Sequence, residues 1–387
     1  MDFIETEEHQ LLRSSVAKLA EGYGHRYYLE KAQAGDKATE LWRAVGEQGF
    51  LGVNLPEAYG GGGQGITELA IVAEELSAAG CPLLLMVVSP AIAGTVISWF
   101  GTDDQKQRWL PGLASGESIF AFAITEPDAG SNSHRLSTTA ERDGDEYRLN
   151  GTKYYISGVD EAEALLVVTK SGVDESTGRG RLSLFVVPTD TPGLRYDPIP
   201  VEIVAPEKQF TVFFDDVRVS ADNLVGVEGD GLRQVFVGLN PERIMGAASG
   251  AGTARYALAK AADYARERSV WDVPIGTHQG IAHPLAECKV QADLARLMLQ
   301  KACWLFDHGG DPAAAGEAAN MAKFACGEAA IRALDQAIQT HGGNGMASEY
   351  GLATMWGGTR LLRTAPVSRE MILNFVAQHS LGLPKSY

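Results

Sequence analysis

The order of three zones along the chain constrains the fold more than any other feature of the sequence. Apolar residues recur at helical spacing up to about residue 118, and short runs rich in valine and phenylalanine fill the next hundred residues. Alanine-rich stretches with helical spacing then follow to the end. A spacing of three to four residues indicates helices, whereas runs of β-branched and aromatic residues bounded by turn residues indicate strands. Helices, then strands, then helices in one chain predict an α+β protein.

The same texture predicts where the domains divide. Compact domains bury one core each, and a chain of 387 residues is long enough for two or three of them. The predicted domains are an N-terminal α-helical domain (1–118), a middle small β-barrel or sandwich domain (119–230), and a C-terminal four-helix-bundle-like domain (231–387).

Helix signals subdivide the last zone. Asn240 followed by Pro241 is typical of an N-cap and a first helical turn, so a long helix is expected to begin there and to run to Arg268. Two further helices are expected at about 280–307 and 313–341. Three such stretches fit an antiparallel bundle of long helices.

Composition excludes several classes of function. The net charge of −16 disfavours a protein that wraps nucleic acid. Four scattered cysteines without a CxxC pair indicate free thiols, and eight histidines without ligand spacing indicate no metal site. The N-terminus is acidic and amphipathic, unlike a signal peptide, and Pro82 and Pro90 interrupt the longest apolar stretch. We therefore expect a cytoplasmic protein that contacts neither membrane nor nucleic acid.

The stretch AFAITEPDAGSN, residues 121–132, is the most distinctive candidate site. A strand-like run ends in a tight turn marked by Pro127 and Gly130. Such a turn presents backbone N–H groups and hydroxyls that can hold a polar ring edge or a phosphate. An ordinary hairpin turn would give the same pattern, so the residues alone leave both interpretations open.

This stretch resembles the first signature of the acyl-CoA dehydrogenases, and the resemblance extends over essentially the whole chain. It implies an FAD cofactor held between the β domain and the helical domains, an acyl-CoA substrate, an electron-transfer flavoprotein as acceptor and a homotetramer. Four further motifs stand in the family's order and spacing: LPEAYGGGG, NGTKYYISG, FDDVRVSADNLVG and QTHGGNGMASEY.

The resemblance also implies which residues contact FAD. One group would lie along the flavin and its pyrophosphate, and a second would serve the FAD of a neighbouring subunit. The first group comprises Phe122, Ile124, Thr125, Gly130, Ser131, Tyr155, Ile156, Ser157, Ser368 and Glu370, of which Ser131 would also contact substrate. The second comprises Arg268, Trp271, Gln279, Gln339, Gly342 and Gly343.

Simpler interpretations exist for parts of the second group. Arg268, close to Arg266, could be a solvated helix end, although an arginine's planar fork suits phosphate binding. Gly342 and Gly343 could form a helix C-cap and at the same time let the backbone approach the pyrophosphate.

The catalytic base is expected at an uncommon place. Most of the family carries it in a C-terminal Glu-Gly-Thr triplet, where this chain has Pro366-Val367-Ser368. A minority, including the isovaleryl-CoA and long-chain enzymes, uses a glutamate directly before an arginine in the long C-terminal helix, and Glu242 and Arg243 match it. The resemblance therefore implies Glu242 as the base that removes the α-proton while the β-hydride passes to flavin N5. It also places Asn240 and Arg243 near the substrate.

Glu242 has an alternative explanation. An acidic residue in the first turn of a helix is favoured by the helix dipole, by about 0.3–1 kcal/mol, whatever its function. The family match, together with the absence of the usual glutamate at Pro366, favours catalysis at this position.

Pro366 leaves the reaction itself open. The family uses a backbone N–H at that position to hold the thioester oxygen, and proline has none. The alternatives are a flavin-dependent monooxygenase or oxidase, an enoyl-CoA reductase, or a non-catalytic subunit of a heteromeric complex. The C-terminus resembles that of citronellyl-CoA-type dehydrogenases, which slightly favours a branched or medium acyl chain.

Overall fold

The computed structural model describes residues 5–176 and 178–385. It contains a helical region, a β region and a second helical region, so the α+β class and its predicted order are confirmed. The N-terminal region consists of six α-helices: α1 (Glu7–Glu21), α2 (Gly24–Ala34), α3 (Thr39–Glu47), α4 (Ile66–Ala78), α5 (Thr95–Phe100) and α6 (Asp103–Ser115).

Capping side chains define where several of these helices begin. Thr6 accepts a hydrogen bond from the backbone N–H of His9 at the start of α1. At α6, Thr102 and Gln105 exchange side-chain and backbone bonds, the reciprocal capping box. The apolar stretch before α5 forms a buried π-helical segment, Val87–Gly94. This segment is part of the core, as expected for an apolar stretch that prolines interrupt. None of the helices in the described residues is long and apolar enough to cross a membrane.

The described residues of the β region form one sheet of eight strands with a core of its own. The strands are β1 (Phe120–Ala123), β2 (Thr139–Asp143), β3 (Glu146–Ser157), β4 (Ala164–Val173), β5 (Gly180–Pro188), β6 (Leu194–Ile199), β7 (Gln209–Ser220) and β8 (Leu224–Val225). In order across the sheet they run β6-β7-β3-β2-β4-β5-β8, and β1 pairs in parallel with β4.

Alternation along β1 and β4 joins this sheet to the helices. Ala121 and Val167 point into the core of the sheet, whereas Phe120, Phe122 and Leu166 point into the core shared with the N-terminal helices. Both faces of these strands are buried, so their sequences are continuous runs of apolar residues. The end of β1 is therefore held rigidly between the sheet and the helices.

The C-terminal region is built on three long helices. The first and third helices run in the same direction, and the second runs antiparallel to them. Gly246 of the first helix lies near Lys323 of the third, and Tyr264, farther along the first, stacks on His341, farther along the third. A short hairpin joins the first two. The elements are α7 (Gly231–Glu267), β9 (Ser269–Val270), β10 (Val273–Pro274), α8 (Gln279–Asp307), α9 (Pro312–His341), α10 (Trp356–Leu361) and α11 (Arg369–Phe375).

The start of α7 was predicted wrongly. The helix begins at Gly231 rather than at Asn240, and Pro241 lies inside it. Proline removes one helical hydrogen bond, but packing outweighs that loss. Gly238 lies so close to the Val87–Gly94 segment and α5 that an added Cβ would be 2.9 Å from Val96. This contact extends the helix upstream of the proline.

A buried ionic cluster fastens the N-terminal helices to the bundle. Glu74 on α4 accepts bonds from Arg13 at 3.0 Å, Arg255 at 3.0 Å and Arg296 at 2.8 Å, which lie on α1, α7 and α8. A buried carboxylate needs such partners, since an unpaired charge in the interior is strongly unfavourable. The two helical regions thus form a common support for the site.

Candidate active site

The turn that follows β1 is closed by its own backbone. Glu126 and Ala129 exchange N–H···O bonds of 3.2 and 3.1 Å, and the N–H of Tyr154 on β3 donates to the carbonyl of Thr125 at 2.8 Å. The structure therefore brings Thr125 beside Tyr155, two of the residues assigned to the flavin. Apart from its chain neighbours, no described residue lies within 4 Å of where a Cβ on Gly130 would be, so these residues leave the turn open on that side.

Beneath this turn lies a buried ion pair that the sequence analysis missed. Lys153, 0% exposed, donates to Glu126 at 2.8 Å and to the carbonyl of Ile124 at 3.0 Å. Glu126 also accepts the backbone N–H groups of Ser137 and Thr138, at 2.6 and 3.0 Å. Burial alone would raise the pKa of Glu126, but Lys153 and these donors lower it to about 2.

A signal for Lys153 is present in the sequence. Tyr147, Leu149 and Lys153 share one face of β3, and the first two are core residues. A charge on the inward face of a strand requires a buried partner. That argument predicts an acidic residue opposite Lys153, but only the fold identifies it as Glu126.

A bulge in β3 turns Tyr155, one of the residues assigned to the flavin, outward. The register with β7 shifts between Lys153 and Ile156, and Tyr155 takes a positive φ of 56°. Tyr155 is thereby 53% exposed while Ile156 is buried. The hydroxyl of Ser157 lies 3.0 Å from the side-chain oxygen of Gln209, a partner that the sequence analysis did not consider.

The remaining residues assigned near the flavin are more dispersed. Phe122 is buried in the core shared with the helices, and Ser131 is exposed on the open turn. Ser368 caps α11 by accepting the N–H of Met371, and Glu370 is exposed beside it.

Glu242 lies about three turns into α7, so the helix dipole does not explain it, because that effect is confined to the first turn. The side chain keeps some exposure to solvent. Even so, burial raises its pKa to about 7, against the opposing effects of Arg243 and Lys323. A carboxylate with this pKa can both accept and release a proton near neutral pH.

Arg243 and Asn240 lie beside it on the same helix. Arg243 donates to the carbonyl of Leu239 at 2.8 Å and contacts Asn240 Oδ1 at 3.4 Å. Its buried Nε has no hydrogen-bond partner within the described part of the chain. An unsatisfied buried donor is what a ligand-binding arginine presents before its ligand arrives.

Lys323 on α9 completes this side of the site, and the sequence analysis missed it as well. It is 1% exposed, and its Nζ donates to the carbonyl of Val367, next to Pro366. The signal was again periodicity, because Ala319, Lys323 and Cys326 share the buried stripe of α9. A lysine on such a buried stripe requires an acidic or carbonyl hydrogen-bond partner, because an unpaired buried charge is unfavourable.

The second assigned group gathers at the other end of the bundle. Tyr264 near the end of α7 stacks on His341 at the end of α9, with ring centroids 4.2 Å apart. The hairpin that carries Trp271, which is 81% exposed, links the end of α7 to the start of α8 at this end of the bundle. Arg268, Trp271, Gln279, Gln339, Gly342 and Gly343 are all exposed at this end, and Gly342 caps α9 as one interpretation predicted.

This group cannot reach Glu242 of the same chain. The 26 residues from Glu242 to Arg268 lie along one helix, which corresponds to about 39 Å. The structure thus brings together Glu242, Asn240 and Arg243 at one place and the Arg268 group at another. His278, whose ring lies 5.7 Å from Trp271, has a buried Nε2 without a partner among the described residues.

Family models agree with this arrangement along nearly the whole chain. The N-terminal, middle and C-terminal domain models of acyl-CoA dehydrogenase match residues 6–117, 121–217 and 229–381. The chain belongs to the acyl-CoA dehydrogenase family. The resemblance inferred from the motifs is confirmed, and the protein is an FAD-dependent oxidoreductase that acts on acyl-CoA.

Individual relatives are similar over their full length. Acyl-CoA dehydrogenase FadE12 of Mycobacterium tuberculosis is 61% identical over 385 residues, covering 100% of this chain and 99% of the relative. The 3-(aryl)acrylate reductase of Clostridium sporogenes is 30% identical over 97% of this chain and 99% of its own. The structure of butyryl-CoA dehydrogenase from Megasphaera elsdenii superimposes with a TM-score of 0.90 at 28% identity, over 96% and 98% of the two chains.

The residues present fit FAD. The open turn at Gly130 and the exposed ring of Tyr155 give a surface on which a flavin can lie. The exposed Trp271 and the unsatisfied Nε2 of His278 suit an adenine and its polar edge. Among the described residues, no three His, Cys, Asp or Glu side chains come together as a metal site.

Proposed function

We propose that this enzyme oxidises an acyl-CoA thioester to the trans-2-enoyl-CoA, with Glu242 as the base that takes the α-proton. The position of Glu242 carries the proposal. Its carboxyl group is largely enclosed on α7, opposite Lys323 and the segment that contains Pro366, and its pKa lies at about 7. An α-C–H beside a thioester is a weak acid, so the base must be desolvated and aimed at it.

The neighbouring side chains would hold the substrate. The unsatisfied Nε of Arg243 and the amide of Asn240 face the same region and would contact the pantetheine or thioester end. Bound FAD supplies the acceptor for the hydride that leaves the β-carbon. Thr125, Tyr155 and Ser157 would hold its ring system, and Gly130 and Ser131 would lie close to its pyrophosphate.

Replacing Glu242 by glutamine tests the assignment. Butyryl-CoA, isovaleryl-CoA, octanoyl-CoA and citronellyl-CoA are each added anaerobically to the FAD-loaded protein, and loss of flavin absorbance is followed. We expect wild type to be reduced by at least one of them and Glu242→Gln to react about 10²–10⁴-fold more slowly while keeping its FAD. The exposed Glu287 on α8 provides the matched control, since Glu287→Gln should behave as wild type.

Two results would overturn the proposal. If acyl-CoA reduces the flavin of Glu242→Gln at the wild-type rate, Glu242 is not the base. A purified wild-type chain that takes up no FAD supports a non-catalytic subunit instead.

We further propose a homotetramer in which Arg268 and its neighbours grip the FAD of another subunit. The separation of about 39 Å between Arg268 and Glu242 supports a site shared between chains. Co-expression of Glu242→Gln with Arg268→Ala tests it, because a mixed oligomer contains sites with an intact base and an intact neighbouring arginine. Activity above that of either variant alone is expected. Activity equal to their average contradicts the shared site.

An enoyl-CoA reductase is the second candidate. Pro366 has no N–H to hold the thioester oxygen. In acyl-transfer enzymes, the loss of one such donor raises the activation free energy by on the order of 3 kcal/mol. A relative of 30% identity is a 3-(aryl)acrylate reductase. Oxidation of the reduced enzyme by enoyl-CoA much faster than reduction by the matching acyl-CoA would favour this direction.

The electron acceptor and the compartment complete the proposal. We expect an electron-transfer flavoprotein in the cytoplasm to reoxidise the enzyme. Rapid reoxidation by air, with peroxide or a hydroxylated product, would instead indicate an oxidase or monooxygenase.

A further inference from the structure

Lys323 is an unusually placed cation. It projects from the buried stripe of α9 and is 1% exposed. Placing an ammonium group in a protein interior is unfavourable unless it is paired and hydrogen-bonded. Its Nζ donates to the backbone carbonyl of Val367, which accounts for one of its three donors.

Three segments of the chain meet around this side chain. Gly246 lies one turn after Glu242 on α7, and a Cβ at that position would be 3.4 Å from Pro366 and 4.0 Å from Lys323. The glycine lets the Pro366 segment and the lysine stem pack together against α7. Lys323 therefore bridges the helix that carries Glu242 and the segment where most of the family has its base.

Among the acidic groups that face Lys323 in the described residues, only Glu242 lacks an ion-pair partner. The ammonium interacts with Glu242 and Arg243 on α7, with Glu328 on its own helix and with Glu370 on α11. Two other arginines already neutralise Glu328, at 2.6 and 3.1 Å, and Glu370 is exposed. Within the described part of the chain, Glu242 has no ion pair within 4.0 Å, so its charge is balanced at longer range by Lys323 and Arg243.

We propose that Lys323 is a positioning residue that fixes the segment containing Pro366 against α7 and favours the charged form of Glu242. This inference rests on the proposed function, because it assigns a role relative to the base. Arg243 is the stronger counter-charge of the two, although its guanidinium already donates to Leu239 and Asn240. Lys323 adds a second positive charge, from another helix, that favours the ionised form of Glu242.

Substitution of Lys323 by methionine tests the proposal, because methionine keeps the length and apolar stem but removes the charge and the donor. The rate of flavin reduction is measured against pH with the full-length, FAD-loaded protein and the four acyl-CoA probes named above. Loss of the nearby positive charge should move the acidic limb of the profile upward by about one pH unit. Lys323→Arg keeps the charge and should leave the acidic limb close to its wild-type position.

Two further variants control the experiment. Lys289→Met removes an exposed lysine of α8 that pairs with Asp293, and should leave the limb in place. FAD content and circular dichroism show whether Lys323→Met is folded. If it is not, Lys323→Arg and Lys323→Gln are compared, since only the glutamine variant should move the limb.

The outcomes separate this inference from the proposed function. A profile that is unchanged in the folded, charge-removing variant, while Glu242→Gln abolishes reduction, overturns the role of Lys323 alone. Flavin reduction at the wild-type rate in Glu242→Gln overturns both the role of Lys323 and the assignment of Glu242 as the base. A shifted limb with unchanged acyl-CoA affinity supports the positioning role, since a merely structural lysine would lower activity equally at every pH.

Discussion

Two lysine–glutamate neighbourhoods in this protein have the same charges and opposite properties. Below the turn that follows β1, Lys153 and Glu126 lie 2.8 Å apart, and both carboxylate oxygens of Glu126 accept hydrogen bonds. In the helical site around α7 and α9, Lys323 faces Glu242 without a direct ion pair, and the Glu242 carboxyl group accepts no hydrogen bond from the described residues. The pKa of Glu126 falls to about 2, whereas that of Glu242 rises to about 7.

The two carboxyl groups differ because Glu126 has a directly paired lysine and aimed hydrogen-bond donors, whereas Glu242 has only charges at longer range. Donors aimed at the oxygens of Glu126 replace the water that it loses, so its charged form is favoured. Glu242 loses water without such replacement. The first carboxylate is fixed as part of the support, and the second is left able to take up a proton.

The largest effect is expected from breaking the fixed pair. Glu126→Gln leaves Lys153 as an uncompensated buried charge and should destabilise the protein by about 3–5 kcal/mol. Urea unfolding followed by circular dichroism measures the change in the free energy of unfolding. An effect below 1 kcal/mol would show that Lys153 finds another partner and that the pair is not the anchor of the turn.

The same substitution in the helical site should have the opposite sign. A pKa raised from 4.5 to about 7 means that ionising Glu242 opposes folding, by at most about 3 kcal/mol, and that stability falls as pH rises through this range. Glu242→Gln should therefore stabilise the protein at pH 8 and lose that advantage below the unfolded value of 4.5. Destabilisation at pH 8 would mean that the carboxylate is well solvated or directly paired.

Activity and the stability that Glu126 contributes should depend on pH in separate windows. The proposed base Glu242 must be ionised, so the rate of flavin reduction should fall about tenfold per unit as pH drops below 7. Glu126, whose folded pKa is depressed, contributes stability that is complete above its unfolded value of 4.5 and is lost as pH falls toward 2. Reduction rates and unfolding curves on the same samples should thus separate the two glutamates. Coincident transitions would contradict the comparison.

The smallest effect is expected where a pair is exposed. Lys289 and Asp293 on α8 are both largely in solvent, and Lys289→Met should change the free energy of unfolding by no more than about 0.5 kcal/mol. A larger change in urea unfolding would indicate that this face of α8 is covered in the assembled enzyme.

Periodicity and motifs predicted much of this protein. The helical, β and helical order and the bounds of α8 and α9 follow from spacing that each region repeats many times. The start of α7 did not follow, because Pro241 is a strong local signal and the contact of Gly238 with Val96 is distant in sequence. Glu242 was found through the family's motif, but its neighbour Lys323 was not, because no local pattern connects α9 to α7.

The sequence by itself determined the α+β class, the family, the FAD cofactor and the candidate base. Those properties are encoded in residue types and in spacing along the chain. Only the tertiary structure decided that Lys153 pairs with Glu126 while Lys323 faces Glu242, and that the Arg268 group lies far from Glu242 of its own chain. The physical reason is that the state of a buried charge depends on which donors reach it in space, and those donors come from other helices and strands.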